Sequence, residues 1–320
     1  MKILVTGGCG YIGSTLIPKL LGVGHRVLSI DNQLFGNFLS DHKNLENIKM
    51  NIGNIKETNI NNIDTVIHLA SISNDPAALI NSKITWETNV LYTPKLLNLC
   101  KEKKIKRFIF ASSGSVYGVS KKRIVDENSN LVPISDYNKT KMVGEKLVQS
   151  YQKYFDIVIL RPGTVCGFSK SMRLDLTVNA MTFTALKKRI INVNGGNQIR
   201  PHVHIDDMVN AYLFFLSKKK VNGIYNVGFE NYSIMEIAKI INKNLPLIPI
   251  KKNMSIDPRS YRLYSKKILK IGFKPKKSIK IAIDELIENY RSKRISFNSK
   301  SFRANYLKKL LIKNLNYANS

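Results

Sequence analysis

Tyr137-Asn138-Lys139-Thr140-Lys141 places a phenol and an ammonium four residues apart. On a helix that spacing puts both side chains on one face. A phenol titrates near 10, so at neutral pH it is mostly in the wrong form to act as a base. A neighbouring ammonium favours the phenolate and lowers that pKa. The pair makes Tyr137 a general base for a substrate hydroxyl. Tyr/Lys pairs at this spacing are also common on plain helix surfaces, so position matters. Ser112 and Ser113 close the apolar run Phe108-Ile109-Phe110-Ala111, and Ser113 lies 24 residues before Tyr137. A hydroxyl at the carboxyl end of a buried strand stands where open parallel sheets bind ligands. There it can hydrogen-bond the same reacting oxygen.

The second constellation is a glycine turn. Gly7-Gly8-Cys9-Gly10-Tyr11-Ile12-Gly13 follows the apolar Ile3-Leu4-Val5 and opens a helical pattern. Glycines permit a tight turn, and amides at the helix N-terminus then face a pyrophosphate. Asp31 stands 18 residues beyond Gly13, at the end of a second apolar run. A carboxylate there accepts both ribose hydroxyls of an adenosine. It repels a 2′-phosphate, and Asn32-Gln33-Leu34-Phe35-Gly36 holds no basic residue to receive one. NAD is therefore expected over NADP. Taken alone, Asp31 reads as a turn or helix cap.

Short apolar runs are expected as strands at 3–5, 26–30, 64–69, 108–111 and 157–160, with helices over 11–21, 86–104 and 137–154. Alternation of β-branched runs with helical periodicity predicts an α/β fold, a Rossmann-type doubly wound parallel sheet covered on both faces. Past residue 166 the regularity fades. Helices are expected near 174–188, 205–217, 233–244 and 278–292, with a short strand at 224–227. The organisation read from this is an NAD-binding domain over 1–165, onto which helix 205–217 packs back. A smaller mixed α/β substrate-binding region follows over 166–296, then a basic tail over 297–320. Tyr306 to Leu315 alternates apolar and Lys residues in a helix-like way, but composition favours a frayed tail over a docking helix.

With 320 residues and 43% apolar content the chain can bury a large core without disulfides or metals. The net charge of +29 invites a nucleic-acid reading. Lys supplies 39 of the 51 basic residues and is spread along the chain rather than forming a stripe with aromatics, so a solvated surface is the better account. Clusters such as Lys101-Lys103-Lys104 and Lys218-Lys219-Lys220 fall at expected helix ends. Three widely spaced cysteines (Cys9, Cys100, Cys166) argue for a reducing cytoplasm and against a zinc site. No run approaches the ~18 apolar residues of a membrane span, and export is not expected. Neither a nucleic-acid nor a membrane partner is expected.

Taken in order, these motifs resemble the extended short-chain dehydrogenase/reductases, in the nucleotide-sugar epimerase/dehydratase branch and similar to UDP-glucose 4-epimerases. The resemblance covers about 1–292. It runs through Thr6 to Gly13, Asp31-Asn32, His68-Leu69-Ala70, Asn89-Val90, Ser112 to Gly118, Tyr137 and Lys141, Leu160-Arg161-Pro162, Arg200 to Asp207 and Gly272 to Pro275. It implies catalytic roles for Ser113, Tyr137 and Lys141. It implies NAD contacts from Gly7, Gly10, Tyr11, Ile12, Gly13, Asp31 and Asn32. Leu69, Ala70, Ser71, Asn89, Tyr137, Lys141 and Pro162 join that set, together with Asn54 and Ile55 near the adenine. Asn54 stands where the family usually has Asp. Asn89 is at least as readily structural, bonding to nearby backbone. Thr164, Asn179, Arg200 and Arg259 are implied as contacts for a nucleotide-diphosphate sugar, Arg by its forked donors. No metal ligand is implied, and a homodimer through helices 87–103 and 137–153 is.

The same resemblance sorts the reaction. Family 4,6-dehydratases carry Asp-Glu just after the Ser113 position; here stand Gly114 and Ser115. Family 3,5-epimerases carry Cys where Ser115 stands, and the Glu of the decarboxylases is absent. What remains is hydride chemistry at sugar C4. A 4-epimerase of surface polysaccharide biosynthesis is favoured over a C4-dehydrogenase or 4-ketoreductase. A non-catalytic NAD-binding regulator is the reading from another class. Cys166 is expected to be packing rather than a nucleophile.

Overall fold

A computed structural model describes residues 1–120, 122–218, 221–254, 257–295 and 298–318, with side chains described as far as Ile312. Lys219, Lys220 and the first and last residues of the expected tail, Phe297 and Ser320, lie outside the described residues.

Seven parallel strands form the central sheet. They are β1 (Lys2–Thr6), β2 (Arg26–Asp31), β3 (Leu45–Lys49), β4 (Thr65–His68), β5 (Arg107–Ala111), β6 (Asp156–Pro162) and β7 (Gly223–Val227). Their spatial order is β7-β6-β5-β4-β1-β2-β3. Ile3 pairs with Val27 on one side and Thr65 on the other. The chain thus reverses its direction of growth between β1 and β4, the crevice where such sheets take ligands. Ile3, Leu4 and Val5 have no exposed surface, because helices cover both faces and leave no polar side for alternation. One core contains Leu16, Ile17 and Leu20 of the first helix (Gly13–Gly22); a second, opposite, contains Leu96, Leu97 and Phe108. Each such side chain contributes about 2 kcal/mol of burial free energy.

The helix expected as one piece over 86–104 is three. Ser82–Trp86 is α-helical, Glu87–Leu91 is a π-turn, and Thr93–Glu102 resumes with Pro94 in its first turn. Proline suits that place because its missing N–H is not needed there. Strand β3 was not expected: Leu45-Glu46-Asn47-Ile48-Lys49 is mostly polar, being an edge strand.

The strand near 224–227 belongs to the main sheet as β7, paired with β6, and not to the smaller region where the chain order had put it. The smaller region has a three-stranded sheet of Thr164–Cys166, Ile199–His204 and Glu230–Ser233. It also has the parallel pair Ile191–Asn194 with Ile250–Asn253. Helix Ile205–Ser217 joins the main core through Met208, Val209 and Tyr212. Lys19 bonds Asp206 at 2.7 Å, and Lys277 bonds Asp206 and Glu285 at 2.7 and 2.6 Å, so these carboxylates are already neutralised beside His204.

The expectation of a frayed tail is not met. Residues Arg303–Ala318 are helical, and this last helix packs on the short helix Asp75–Ile80. Phe302 meets Phe183 edge-on, and Tyr306 tilts against Phe35 at 5.9 Å. Lys-rich composition hid the partly buried positions Tyr306, Leu307, Leu310 and Leu311 of this helix. Among the described residues, no helix is long and apolar enough to cross a membrane.

Candidate functional site

A cleft of about 440 Å³ opens at the carboxyl ends of the strands, between the main sheet and the smaller region. The glycine turn forms one wall. Gly7 has φ +74°, and a Cβ there would lie 2.7 Å from the Ala70 amide nitrogen. A Cβ at Gly13 would fall 2.5 Å from the Gly7 and Gly8 carbonyl oxygens. Only glycine allows the turn to fold this tightly and bring its amides to the cleft. Asp31 ends β2 and also lines the cleft; its carboxylate accepts the Cys9 amide at 3.0 Å and the Gln33 amide at 2.6 Å. Burial raises the Asp31 carboxyl pKa, and those two amides pull it back. Glycine turn and carboxylate are therefore one hydrogen-bonded unit, as a dinucleotide's pyrophosphate and ribose require.

Ser135 caps the helix Asp136–Gln149, its hydroxyl accepting the Asn138 amide at 3.2 Å. That start places Tyr137 in the first turn and Lys141 one turn on, both lining the cleft with Ser113. Ser113 sits just past β5, and its hydroxyl meets that of Ser115 at 2.8 Å. Beneath them lies a buried network. Glu145 accepts Ser112 at 2.5 Å and two Arg161 nitrogens at 2.8 and 2.6 Å; the third Arg161 nitrogen reaches the Tyr117 hydroxyl at 2.9 Å. Paired burial of this kind fixes the helix against β5 and β6.

The electrostatics differ from expectation at one point. The Tyr137 phenol is raised above its ordinary pKa, first by burial; Ser113 and Arg173 act downward and Asp75 upward. Lys141 is not what lowers it. Its ammonium donates to the Ala111 carbonyl at 2.8 Å and lies 6.0 Å from the Tyr137 ring centre. Burial pushes Lys141 itself down to about 7, with Glu145 opposing. Sequence spacing put the two on one face but did not show that the lysine turns to backbone.

The other expected residues divide. Tyr11, Ile12, Gly10 and Asn32 line the cleft with Leu69, Ala70, Ser71 and Pro162; so do Thr164, Arg200 and Arg259. Asn54 and Ile55 do not. The short 3₁₀ turn Ile52–Asn54 carries Asn54 out to solvent and Ile55 into the core, so Asn51 and Ile52 face the cleft instead. Asn89 is buried and stitches the Ile72 amide and carbonyl to Thr140, with bonds of 2.8, 3.0 and 3.0 Å. Asn179 is buried too; it accepts the Gly167 amide at 3.0 Å and donates to the Tyr11 hydroxyl at 3.1 Å, holding the cleft wall from behind. Cys166 is buried against the Val203 carbonyl, as expected for packing.

Arg200 and Arg259 share Asp257, at 2.9 and 2.8 Å, and Arg259 also meets Asp75 at 2.9 Å. This cluster gives the far end of the cleft two guanidiniums. Cleft residues that escaped the sequence reading include Arg173, Asp257 and Arg303. Arg173 forks onto Asp175 at 3.0 Å and bonds Ser73 at 2.8 Å. Asp257 precedes Arg259 by two, a spacing that hints at a fork. Arg303 comes from the last helix, and no local signal marks it.

Fold and cleft together define a dinucleotide-binding α/β protein with a Ser-Tyr-Lys centre. Residues 3–228 match the family described as the NAD dependent epimerase/dehydratase family. The uncharacterized UDP-glucose epimerase YtcB of Bacillus subtilis is 34% identical over 259 residues, 75% of this chain and 81% of its own. A dTDP-D-glucose 4,6-dehydratase of Bos taurus is 28% identical over 320 residues, 91% of this chain and 88% of its own. The crystal structure of UDP-glucuronic acid 4-epimerase from Bacillus cereus, in complex with UDP-glucuronic acid and NAD, superposes with a TM-score of 0.83 at 28% identity, covering 92% of this chain and 100% of that one. This chain belongs to the NAD-dependent epimerase/dehydratase family. It is an enzyme with the nucleotide-sugar branch's fold, and NAD is its cofactor.

Proposed function

We propose that the chain is a nucleotide-sugar 4-epimerase, working at C4 of the sugar in surface polysaccharide biosynthesis as a homodimer. The observation that carries this is the meeting of Ser113 and Tyr137 in one cleft with Gly114 and Ser115, not an acid pair, beside them. In this reading Tyr137 takes the proton of the C4 hydroxyl while Ser113 holds the same oxygen. NAD, when bound, supplies a hydride acceptor with a cationic ring. Burial keeps the phenol protonated in the free protein, so Tyr137 becomes a base only once positive charge joins the cleft. Lys141 anchors the helix to the end of β5 through the Ala111 carbonyl and so holds Tyr137 in place beside Ser113. Arg200 and Arg259 exchange their carboxylate partners for the substrate diphosphate, whose oxygens present a similar fork. After the 4-keto sugar turns over, hydride returned to the opposite face of C4 inverts that carbon, and Tyr137 gives the proton back to the C4 oxygen.

Incubation with UDP-, GDP-, CDP- and dTDP-hexoses, followed by separation of C4 epimers, tests the proposal. Interconversion without added reductant is the expected result. Net, stoichiometric NADH formation would instead make the chain a C4-dehydrogenase. Absence of any sugar conversion with NAD bound would leave only the regulator reading.

A further inference from the structure

Arg303 is a buried guanidinium lining the cleft, although it lies 75 residues beyond the family match that ends at residue 228. It donates to the Ser171 hydroxyl at 2.8 Å and to the Lys300 carbonyl at 2.9 Å. Its carbon centre lies 4.0 Å from the centre of the Phe35 ring, which in turn packs on Tyr306 of the same helix. Phe35 belongs to the loop just after Asp31 and also lines the cleft. Among the described residues, no carboxylate comes within ion-pair distance of Arg303, whereas Arg173, Arg200 and Arg259 each have one. Burial, then the repulsion of Arg173, pushes the Arg303 pKa down to about 10, against a weaker opposing pull from Asp175 and Asp31, neither within ion-pair distance. A buried cation without a counter-ion is costly unless something anionic completes it.

We propose that the last helix is a clasp on the cofactor: Arg303 supplies the counter-charge for the pyrophosphate of NAD, and Phe35, held between Arg303 and Tyr306, walls the adenosine end. The inference rests on the cleft being the NAD site and is independent of which sugar is turned over. The geometry favours an anion over a neutral ring because the guanidinium is bound only to neutral oxygens and still faces the cleft. Its position between Phe35 on one side and Ser171 on the other spans the space from the Asp31 loop to the Arg173 wall. The clasp would make NAD release require movement of the C-terminal helix, which suits an enzyme that keeps its cofactor through each turnover.

Calorimetric titration of nucleotide-free full chain with NAD and, separately, NADP tests this. Arg303→Gln should weaken NAD binding by about tenfold or more, Arg303→Lys by less, and the exposed Lys309→Gln not at all. Equal NAD affinity in Arg303→Gln and the unaltered chain overturns the clasp. A loss confined to NADP also overturns it, since the guanidinium would then read a 2′-phosphate. If the unaltered chain binds no NAD, the cleft assignment fails and the clasp with it. If Arg303→Gln does not fold, hydrogen exchange on the unaltered chain decides. NAD must slow the amides of 303–312, and slowing at the glycine turn alone overturns the proposal.

Discussion

Lys141 donates its ammonium to the carbonyl of Ala111 at 2.8 Å, tying the helix that bears Tyr137 to the end of the strand that leads to Ser113. The two candidate reacting groups therefore share one short covalent and hydrogen-bonded loop. A lysine in this place sets geometry as much as charge. Truncating it would loosen Tyr137 and Ser113 together.

Tyr137→Phe removes the hydroxyl and keeps the ring. Turnover should fall by about a thousandfold or more, while NAD affinity stays within about threefold. Steady-state kinetics with calorimetry on the same preparation checks both. Near-normal kcat would remove Tyr137 from the chemistry.

Asn89→Ala should act on stability rather than on cofactor affinity. It strips partners from the Ile72 amide and carbonyl and from Thr140. A loss of about 1–3 kcal/mol is expected, read by urea unfolding of the nucleotide-free protein. A selective loss of NAD binding at unchanged stability would restore the cofactor role that its motif implies.

Arg259→Ala and Arg200→Ala should raise KM for the nucleotide sugar about tenfold or more, with a smaller effect on kcat. Each guanidinium now holds carboxylates that a diphosphate would replace. An unchanged KM in both variants would move the diphosphate elsewhere in the cleft.

Acid should weaken the fold through two buried histidines. Burial pushes His202 down to about 4 and His68 down to about 3 from the ordinary 6.5. As pH falls below 6.5 the unfolded chain takes up protons that the folded chain refuses. The stability present above 6.5 is therefore lost progressively on the way to the folded values, by up to about 3 kcal/mol for His202 at pH 4. Thermal melts from pH 7 to 4 check the slope. His202→Gln should flatten it.

The strand–helix alternation, the glycine turn, Asp31 and the Ser113, Tyr137 and Lys141 set were legible in order along the chain. Each depends on periodicity or on short spacing that the backbone converts directly into shared faces and turns. Strand β3 was not legible, since an edge strand carries no continuous apolar run. Asn54 and Ile55 were placed on the cleft by motif position, but a three-residue 3₁₀ turn puts Asn51 and Ile52 on its lining instead. Asn179 was read as a substrate contact, but its amide is consumed behind the wall.

From residue order alone came a parallel dinucleotide-binding sheet and a tyrosine and lysine on one helix face, because burial pattern and helical spacing are local properties. Tertiary structure decided which way the lysine turns and what raises the phenol. It also showed that Arg303, 290 residues beyond Gly13, lines the same cleft. Contacts between distant segments depend on how the layers stack, and no window of sequence records that.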